Sequence, residues 1–184
     1  MILPGIALIA ALVKLGSRGP VFYGHERIGE GGRTFRAWKF RTMVQNADDL
    51  LEKYLESNPE LRAEWAAHHK LRTDPRVTKI GRFLRQTSLD ELPQIWNVTR
   101  GEMSLVGPRP IVREEAVKYG EELDLYGMVR PGITGLWQVS GRSDTSYEGR
   151  VAMDVHYVRN WSVWLDIYLL ARTVGVVLRR QGAY

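Results

Sequence analysis

The side chains with the clearest potential for chemistry are two adjacent carboxylates, Asp90 and Glu91, here called the acidic pair. An apolar helical pattern follows them and stops at Gly101. This order predicts that Asp90 is the N-cap of a helix and that Pro93 lies in its first turn, where a missing N–H costs little. Such a pair commonly serves only to cap a helix and favour its dipole, so the pair alone does not establish a site.

Cations flank the acidic pair on both sides in the sequence. They are Arg76, Lys79, Arg82 and Arg85 upstream, and Arg109 downstream between Pro108 and Pro110. Two prolines around an arginine restrict the backbone and thereby aim its side chain. Carboxylates among so many cations indicate a site for an anionic substrate rather than charges that serve solubility alone.

The length and composition limit the classes of protein that need to be considered. The 184 residues suffice for one domain with a real core and are too few for two large domains. The net charge of +5 favours an anionic partner, such as nucleic acid, an anionic membrane surface or a nucleotide diphosphate. The absence of cysteine excludes disulfides and cysteine-based metal or redox sites.

The elements that must position these residues begin with an apolar run from Met1 to Val13, which Pro4 interrupts and Lys14 closes. The run is shorter than the roughly 20 residues that a helix needs to cross a bilayer. It also lacks the basic start and the cleavage site of a signal peptide. Two interpretations stay open: a buried core helix, or the second half of a helix that dips into one leaflet.

The next segments predict a β-hairpin and two helices. Residues 21–23 and 34–40 have the composition of strands, and Gly29 to Gly32 supplies the loop between them. Residues 44–71 are helical in pattern, and Asn58-Pro59 divides them into two helices. The adjacent histidines His68 and His69 indicate a solvated helix face rather than a metal site, because no further ligand follows at i+4.

Five more elements complete the predicted fold. They are a basic helix after the turn at 73–75, with Val77, Ile80, Phe83 and Leu84 inside, a short helix at 114–125, a turn and strand at 129–139, and helices at 147–159 and 161–180. In the last helix, Asp166 and Arg172 argue against a membrane span. Tryptophans at one end and arginines at the other are typical of a helix in the headgroup region, and an ordinary core helix is the alternative.

Four segments carry a resemblance to a known family: KFRTM, SLDELPQIWNV, SLVGPRP and PGITGLWQVSGR. They resemble the signature segments of bacterial sugar transferases, the monotopic polyprenyl-phosphate hexose-1-phosphate transferases, also called phosphoglycosyl transferases. The resemblance covers nearly the whole chain, and four segments in the family's order are far more specific than a single motif. The ending RRQGAY is most similar to the undecaprenyl-phosphate galactose phosphotransferases.

The resemblance implies an α+β fold, namely a small, mostly helical, monotopic catalytic domain associated with a membrane. It would contain the β-hairpin, an N-terminal re-entrant helix kinked at Pro4, and interfacial amphipathic helices. Residues 1–20 would be the membrane-inserted segment, and residues 21–184 the catalytic domain on the cytoplasmic face of the bacterial inner membrane. Larger relatives carry further membrane helices upstream, so an interpretation as a catalytic-domain fragment also stays open.

The same resemblance implies a reaction in two steps. Asp90 matches the family's nucleophile and would attack the sugar-bearing phosphorus of a UDP-sugar, releasing UMP. The phosphosugar would then pass to undecaprenyl phosphate, as the first membrane step of polysaccharide, O-antigen or exopolysaccharide synthesis. Glu91 would hold Mg²⁺ or position the lipid phosphate, and both carboxylates are predicted metal ligands. Galactose is the expected sugar.

The remaining predicted site residues would bind the substrate. Lys39, Arg85, Arg109 and Arg142 come from four separate segments, and Asp154 and Asp166 match family positions without an assigned role. Cations and Mg²⁺ around a positioned nucleophile are what diphosphate cleavage requires, because they hold the developing charge. Carboxylates and phosphates are also the ligands that Mg²⁺ prefers.

Two functions of other classes stay open from the residues alone. A nucleic-acid-binding module would use the basic charge and the aromatic hairpin, but the acidic pair would repel phosphates unless Mg²⁺ intervenes. A non-catalytic membrane scaffold would use the two apolar ends. The predicted partners are therefore a UDP-sugar, undecaprenyl phosphate and membrane lipid, without nucleic acid. The oligomeric state is not readable, and a homodimer stays open.

Overall fold

The chain is described from a computed structural model that places residues 2–68, 71, 74–141 and 145–179. The helices are α1 (Ile2–Gly16), α2 (Ala47–Ser57), α3 (Pro59–His68), α4 (Lys79–Thr87), α5 (Gln94–Thr99), α6 (Arg113–Ala116), α7 (Leu123–Gly127), α8 (Leu136–Ser140), α9 (Tyr147–Arg159) and α10 (Val163–Arg179). The strands are β1 (Phe22–Ile28), β2 (Thr34–Phe40), β3 (Ser104–Val106) and β4 (Gly132–Thr134). The protein is thus a mixed α and β fold that is mostly helical, as predicted.

The chain forms two compact units. The first comprises Met1–Tyr23 and Phe40–Asp90, and the second comprises Gly24–Lys39 and the chain from Glu91 onward. Strands β1 and β2 form the predicted hairpin, joined by a 3₁₀ turn at Glu30–Gly32. Gly31 and Gly32 in this turn have φ angles of 64° and 73°, which are the left-handed values that favour glycine.

In the first unit, α1 packs against α4. Val13 of α1 and Leu84 of α4 are almost completely buried, at 1% and 0% exposure. A Cβ on Gly16 would lie only 3.1 Å from Cγ2 of Ile80, so glycine at this position permits the close approach of the two helices. Helices α2 and α3 meet at Asn58, and Pro59 opens α3, as the proline signal predicted.

The start of α4 is attached to the segment that follows β2. The Thr78 amide donates to the Thr42 carbonyl at 3.0 Å, and the hydroxyl of Thr78 accepts from the Gly81 amide as an N-cap. A Cβ on Gly81 would overlap the Thr42 carbonyl. Because Gly81 and Leu84 form the inner face, Phe83 lies outside with 47% exposure, and its predicted inward position was wrong.

In the second unit, β3 and β4 pair in parallel, with Ser104 opposite Gly132 and Val106 opposite Thr134. Helix α10 packs on both strands and on α8. One apolar cluster, which includes Leu169 and Val176 of α10 itself, consists of Val106, Val139, Tyr157, Leu169 and Val176. A second cluster consists of Ile111, Tyr119, Tyr126 and Val151.

Two sequence predictions in this unit need correction. Residues 136–140 form the helix α8 rather than the end of a strand. In this helical turn after β4, both Trp137 and Val139 are buried. The helix predicted at 114–125 is divided into α6, a 3₁₀ turn and α7, since Gly120 takes a φ of 53° and a ψ of −129°. Helices α9 and α10 are confirmed.

Among the described helices, none has both the length and the apolar character needed to cross a membrane. Helix α1 has 15 residues and runs through Pro4. The predicted kink at Pro4 and the insertion of residues 1–20 into a membrane stay predictions.

Candidate functional site

Asp90 lies in a 3₁₀ turn, Leu89–Glu91, between α4 and α5. Helix α4 ends at Ser88, which has a left-handed φ of 55°. Helix α5 begins only at Gln94, and its N-cap residue is Pro93, which makes no side-chain cap. The prediction that Asp90 caps this helix is therefore wrong, since the 3₁₀ turn separates the carboxylate from the helix entry.

The surroundings of Asp90 within the first unit are buried and cationic. Asp90 is 9% exposed, and its charge acts on Arg85. The Arg85 Nε donates to the Thr42 hydroxyl at 2.9 Å. Burial lowers the pKa of Arg85, while the charges of Asp90 and Asp74 oppose this change. The structure thus places the predicted cation Arg85 beside the predicted nucleophile.

Two further arginines of the first unit, Arg76 and Arg41, have defined partners. Asp74 and Arg76 form a largely buried ion pair at 2.7 Å, and the Arg76 guanidinium lies 5.0 Å from the Trp65 ring centroid. Burial alone would raise the pKa of Asp74, but hydrogen bonds from Arg76 outweigh it, so the pKa is lowered. Arg41 donates to the carbonyls of Ser17 and Arg18, both at 2.7 Å, and so ties the segment that follows β2 to the segment that follows α1.

Within the second unit, the carboxylate of Glu91 pairs with a predicted cation from the hairpin. Lys39 Nζ donates to Glu91 Oε1 at 2.5 Å, and the two side chains are 28% and 30% exposed. The pair is therefore accessible to solvent and to a ligand. The structure thus brings Lys39 and Glu91 together as an ion pair, and the predicted role of each toward substrate stays a prediction.

Asn97 of α5 explains why Lys39 reaches Glu91, and sequence analysis missed it. It is 0% exposed and its amide nitrogen donates to the Arg36 carbonyl at 2.7 Å and to Glu102 Oε2 at 2.6 Å. Its side-chain oxygen accepts from the Trp38 amide at 3.1 Å. These bonds attach α5 to β2. The signal in the sequence is an asparagine within an apolar helical pattern, where a polar side chain needs partners.

Arg109 lies in the segment between β3 and α6, between Pro108 and Pro110. Pro108 and Pro110 are buried, whereas Arg109 is exposed. The Gly107 amide donates to the Thr134 carbonyl at 2.9 Å, which fixes the start of this segment on β4. The Arg109 guanidinium lies 5.7 Å from the centroid of the Trp137 ring. The other predicted motif arginine, Arg142, lies outside the described residues, as do His69 and the side chain of His68.

The two predicted aspartates have defined partners. Asp154 is 2% exposed, and its Oδ2 accepts from the Tyr119 hydroxyl at 2.7 Å. Asp166 accepts from the Tyr157 hydroxyl at 2.8 Å and from the Trp161 ring N–H at 3.2 Å, which joins α9 to the first turn of α10. Both positions hold helices together, and a role in substrate binding stays a prediction for each.

Asp154 is a buried acid whose ionisation is unfavourable. Burial raises its pKa to about 7, although the hydrogen bond from Tyr119 and the charge of Arg109 oppose the rise. Among the described residues, its Oδ1 is a buried oxygen without a hydrogen-bond partner. Its protonation is therefore linked to folding near neutral pH.

We expect the free energy of unfolding of the wild type to fall, relative to Asp154→Asn, as the pH rises from about 4 to about 7. The folded state binds the Asp154 proton more tightly than the unfolded state, whose pKa is near 3.8. This stabilisation is complete below the unfolded pKa and is lost as the pH rises through the folded pKa, with a slope of up to about 1.4 kcal/mol per pH unit. Urea unfolding of both proteins between pH 4.5 and 7.5 measures the difference, and a constant difference would contradict the linkage.

The acidic pair offers two carboxylates from consecutive residues as metal ligands. In the described part of the chain, no group of three or more histidine, aspartate or glutamate side chains is arranged to hold a metal ion. Mg²⁺ commonly uses one or two carboxylates and completes its shell with substrate phosphates and water. Among the described residues no cage for a metal held by protein alone is present, and Mg²⁺ at Asp90 and Glu91 stays a prediction.

Comparison with known proteins gives a consistent result. The profile of a family described as bacterial sugar transferase matches residues 1–180. A UDP-galactose-lipid carrier transferase of Erwinia amylovora is 54% identical over 184 residues, which are 100% of this chain and 38% of the relative. An undecaprenyl-phosphate galactose phosphotransferase of Salmonella typhimurium is 55% identical over 166 residues, which are 90% of this chain and 35% of the relative.

A shorter relative is covered more completely. The exopolysaccharide production protein ExoY of Sinorhizobium fredii is 50% identical over 181 residues, which are 98% of this chain and 80% of that protein. By contrast, the chain spans little more than a third of the Erwinia and Salmonella proteins.

Proposed function

The chain belongs to the bacterial sugar transferase family, as its four motifs predicted, and from this premise we propose that it is a phosphoglycosyl transferase. It transfers a hexose-1-phosphate from a UDP-sugar to undecaprenyl phosphate and releases UMP. Galactose is the proposed sugar, because two relatives with 54% and 55% identity carry galactose in their names. The observation that supports the chemistry best is the buried Asp90, whose charge acts on Arg85, in the 3₁₀ turn before α5.

In the first proposed step, a carboxylate oxygen of Asp90 attacks the sugar-bearing phosphorus of the UDP-sugar. A bond forms between Asp90 and phosphorus, the bond to the bridging oxygen breaks, and that oxygen leaves with UMP. The charge of Asp90 acts on Arg85, and the positive charge of Arg85 would help to hold the phosphate group that is attacked. The burial of Asp90 limits the access of water that would hydrolyse the intermediate.

In the second step, an oxygen of undecaprenyl phosphate attacks the same phosphorus, the bond to Asp90 breaks, and the carboxylate is restored. The product is a lipid-linked diphosphate sugar. Lys39 is bound to Glu91 but is 28% exposed, so its ammonium group can also bind a phosphate oxygen of either substrate. Mg²⁺ held by Asp90 and Glu91 would supply further positive charge toward the phosphate oxygens.

We also propose that the protein acts at the cytoplasmic face of the bacterial inner membrane, with residues 1–20 as a re-entrant segment. The exposed apolar side chains of α10 support an interfacial position for that helix. They include Trp164 at 79% and Leu178 at 77% exposure. Apolar side chains exposed along one helix, with a tryptophan at one end, suit the headgroup region of a bilayer.

A nucleotide-release assay tests the proposed function. The full chain is incubated with a panel of UDP-sugars, with and without undecaprenyl phosphate, and UMP is measured. We expect continuous release with UDP-galactose and lipid, and release of at most one equivalent without lipid, because the phosphosugar then stays on Asp90. Membrane binding without any release would support a scaffold, and salt-dependent binding of oligonucleotides without release would support a nucleic-acid-binding module.

A further inference from the structure

Two arginines from separate elements lie against the same buried aromatic ring in the second unit. Trp137 of α8 is 5% exposed. The guanidinium carbon of Arg109 lies 5.7 Å from its centroid, and that of Arg150, in the first turns of α9, lies 4.8 Å away. Both distances are within the roughly 6 Å range of cation–π attraction. Arg109 belongs to the GPRP motif, whereas Arg150 lies outside all four motif segments.

No direct ion pair in the described part of the chain explains the position of these cations, although the charge of Arg109 also acts on the buried Asp154. The ion pairs found in the described part of the chain include neither Arg109 nor Arg150. Arg150 Nε donates to the Thr145 carbonyl at 3.2 Å, which carries no full charge. Burial and the charges of Glu115 and Asp154 raise the pKa of Tyr147, and the charges of both arginines oppose this rise. Lys118 Nζ adds a third cation at 4.6 Å from the Tyr147 ring centroid.

Like charges held near one another repel, and the repulsion is relieved when an anion binds to both. Contact with the Trp137 ring restricts the rotamers of both arginines, so less conformational entropy is lost on binding. The planar guanidinium fork suits the oxygens of a phosphate in a bidentate arrangement. A phosphate or diphosphate therefore has the negative charge and the acceptor oxygens that complement this cluster of cationic donors.

We propose that Arg150 is a second phosphate-binding arginine, which acts together with Arg109 on a phosphate group of the substrates. This inference rests on the proposed function and deepens it, because it assigns a residue that the motifs do not contain. The phosphate could belong to the UDP-sugar or to the lipid acceptor, since both present the same chemistry, and the kinetic experiment below distinguishes them.

Binding of inorganic pyrophosphate to the full chain provides a test that does not need turnover. Calorimetry should show binding by the wild type and a roughly 10- to 100-fold weaker affinity in Arg150→Gln, the loss expected for a charge-assisted contact. Arg159→Gln is the matched control on the same helix, because Arg159 is exposed and pairs with Glu122 at 3.3 Å. This control should bind as the wild type does. Arg150→Lys keeps the charge without the fork and should lie between the wild type and Arg150→Gln.

Steady-state kinetics then identify the source of the phosphate. A KM for the UDP-sugar that rises by a similar factor in Arg150→Gln places the nucleotide diphosphate on the cluster, whereas a rise in the KM for undecaprenyl phosphate places the lipid there. Pyrophosphate affinities that are equal in the wild type, Arg150→Gln and Arg150→Lys would overturn the inference, and a lower melting temperature alongside would show that Arg150 only supports Trp137. Absence of pyrophosphate binding by the wild type would overturn it as well. A wild type that binds pyrophosphate through Arg150 but releases no UMP would instead refute the proposed function.

Discussion

Asp90→Asn is expected to abolish sugar-phosphate transfer while the protein stays folded. An asparagine has nearly the same size as aspartate, but its amide cannot form the covalent bond to phosphorus. The N-cap residue of α5 is Pro93, so the substitution does not change the N-cap residue of that helix. Arg85 loses one neighbouring charge but keeps that of Asp74, so the cost in stability should stay within about 1–3 kcal/mol.

Intact-mass analysis measures this result directly. Wild-type protein given a UDP-sugar without lipid should gain the mass of one phosphosugar, and peptide mapping should place it between Thr87 and Arg100. Asp90→Asn should gain no mass. Glu91→Gln is the neighbouring control: it should also lose turnover, since it weakens Mg²⁺ and acceptor binding, although the nucleophile remains. A folded Asp90→Asn variant with full activity would refute the covalent mechanism.

Local signals in the sequence account for the parts of the fold that were predicted correctly. Proline after Asn58 divides α2 from α3, and a glycine-rich loop between two aromatic segments produces the β1–β2 hairpin. The failures depend on distant partners. Residues 136–140 are apolar in a pattern that suits a strand or a helix, and the choice follows from packing of α8 against α9 and α10.

The same distinction applies to the candidate site. The motifs identified Lys39 as a substrate-binding residue and Glu91 as a catalytic and metal-binding residue, but their ion pair joins positions 52 residues apart and could not be read from spacing. Asp90 was interpreted as the N-cap of a helix because carboxylates before a helix commonly have that position. In the structure, Ser88 takes a left-handed φ, and the residues that follow form a 3₁₀ turn before the helix begins. Arg150 was overlooked because its relation to Arg109 depends on a shared contact with Trp137.

Asn97→Ala is expected to destabilise the protein and to reduce transfer together. The substitution removes a fully buried amide and leaves the Arg36 carbonyl and the Trp38 amide without their partner. Each buried polar group left unsatisfied costs about 1–3 kcal/mol, so the free energy of unfolding should fall by roughly 2–6 kcal/mol. The attachment of α5 to β2 is weakened, and with it the position of Glu91 relative to Lys39.

Thr99→Ala is the matched control on the same helix, because the Thr99 hydroxyl is exposed and bonds only to the Trp96 carbonyl at 2.9 Å among its described contacts. Its unfolding free energy should change by no more than about 0.5 kcal/mol. Urea unfolding and UMP release are measured for both variants.

Asn97→Asp retains the acceptor for Trp38 but places a carboxylate against Glu102 Oε2, which was 2.6 Å from the lost nitrogen, so it should be no more stable than Asn97→Ala. If Asn97→Ala unfolded at the wild-type urea concentration, the three hydrogen bonds would not be what holds α5 on the hairpin, and the pairing of Lys39 with Glu91 would need another cause.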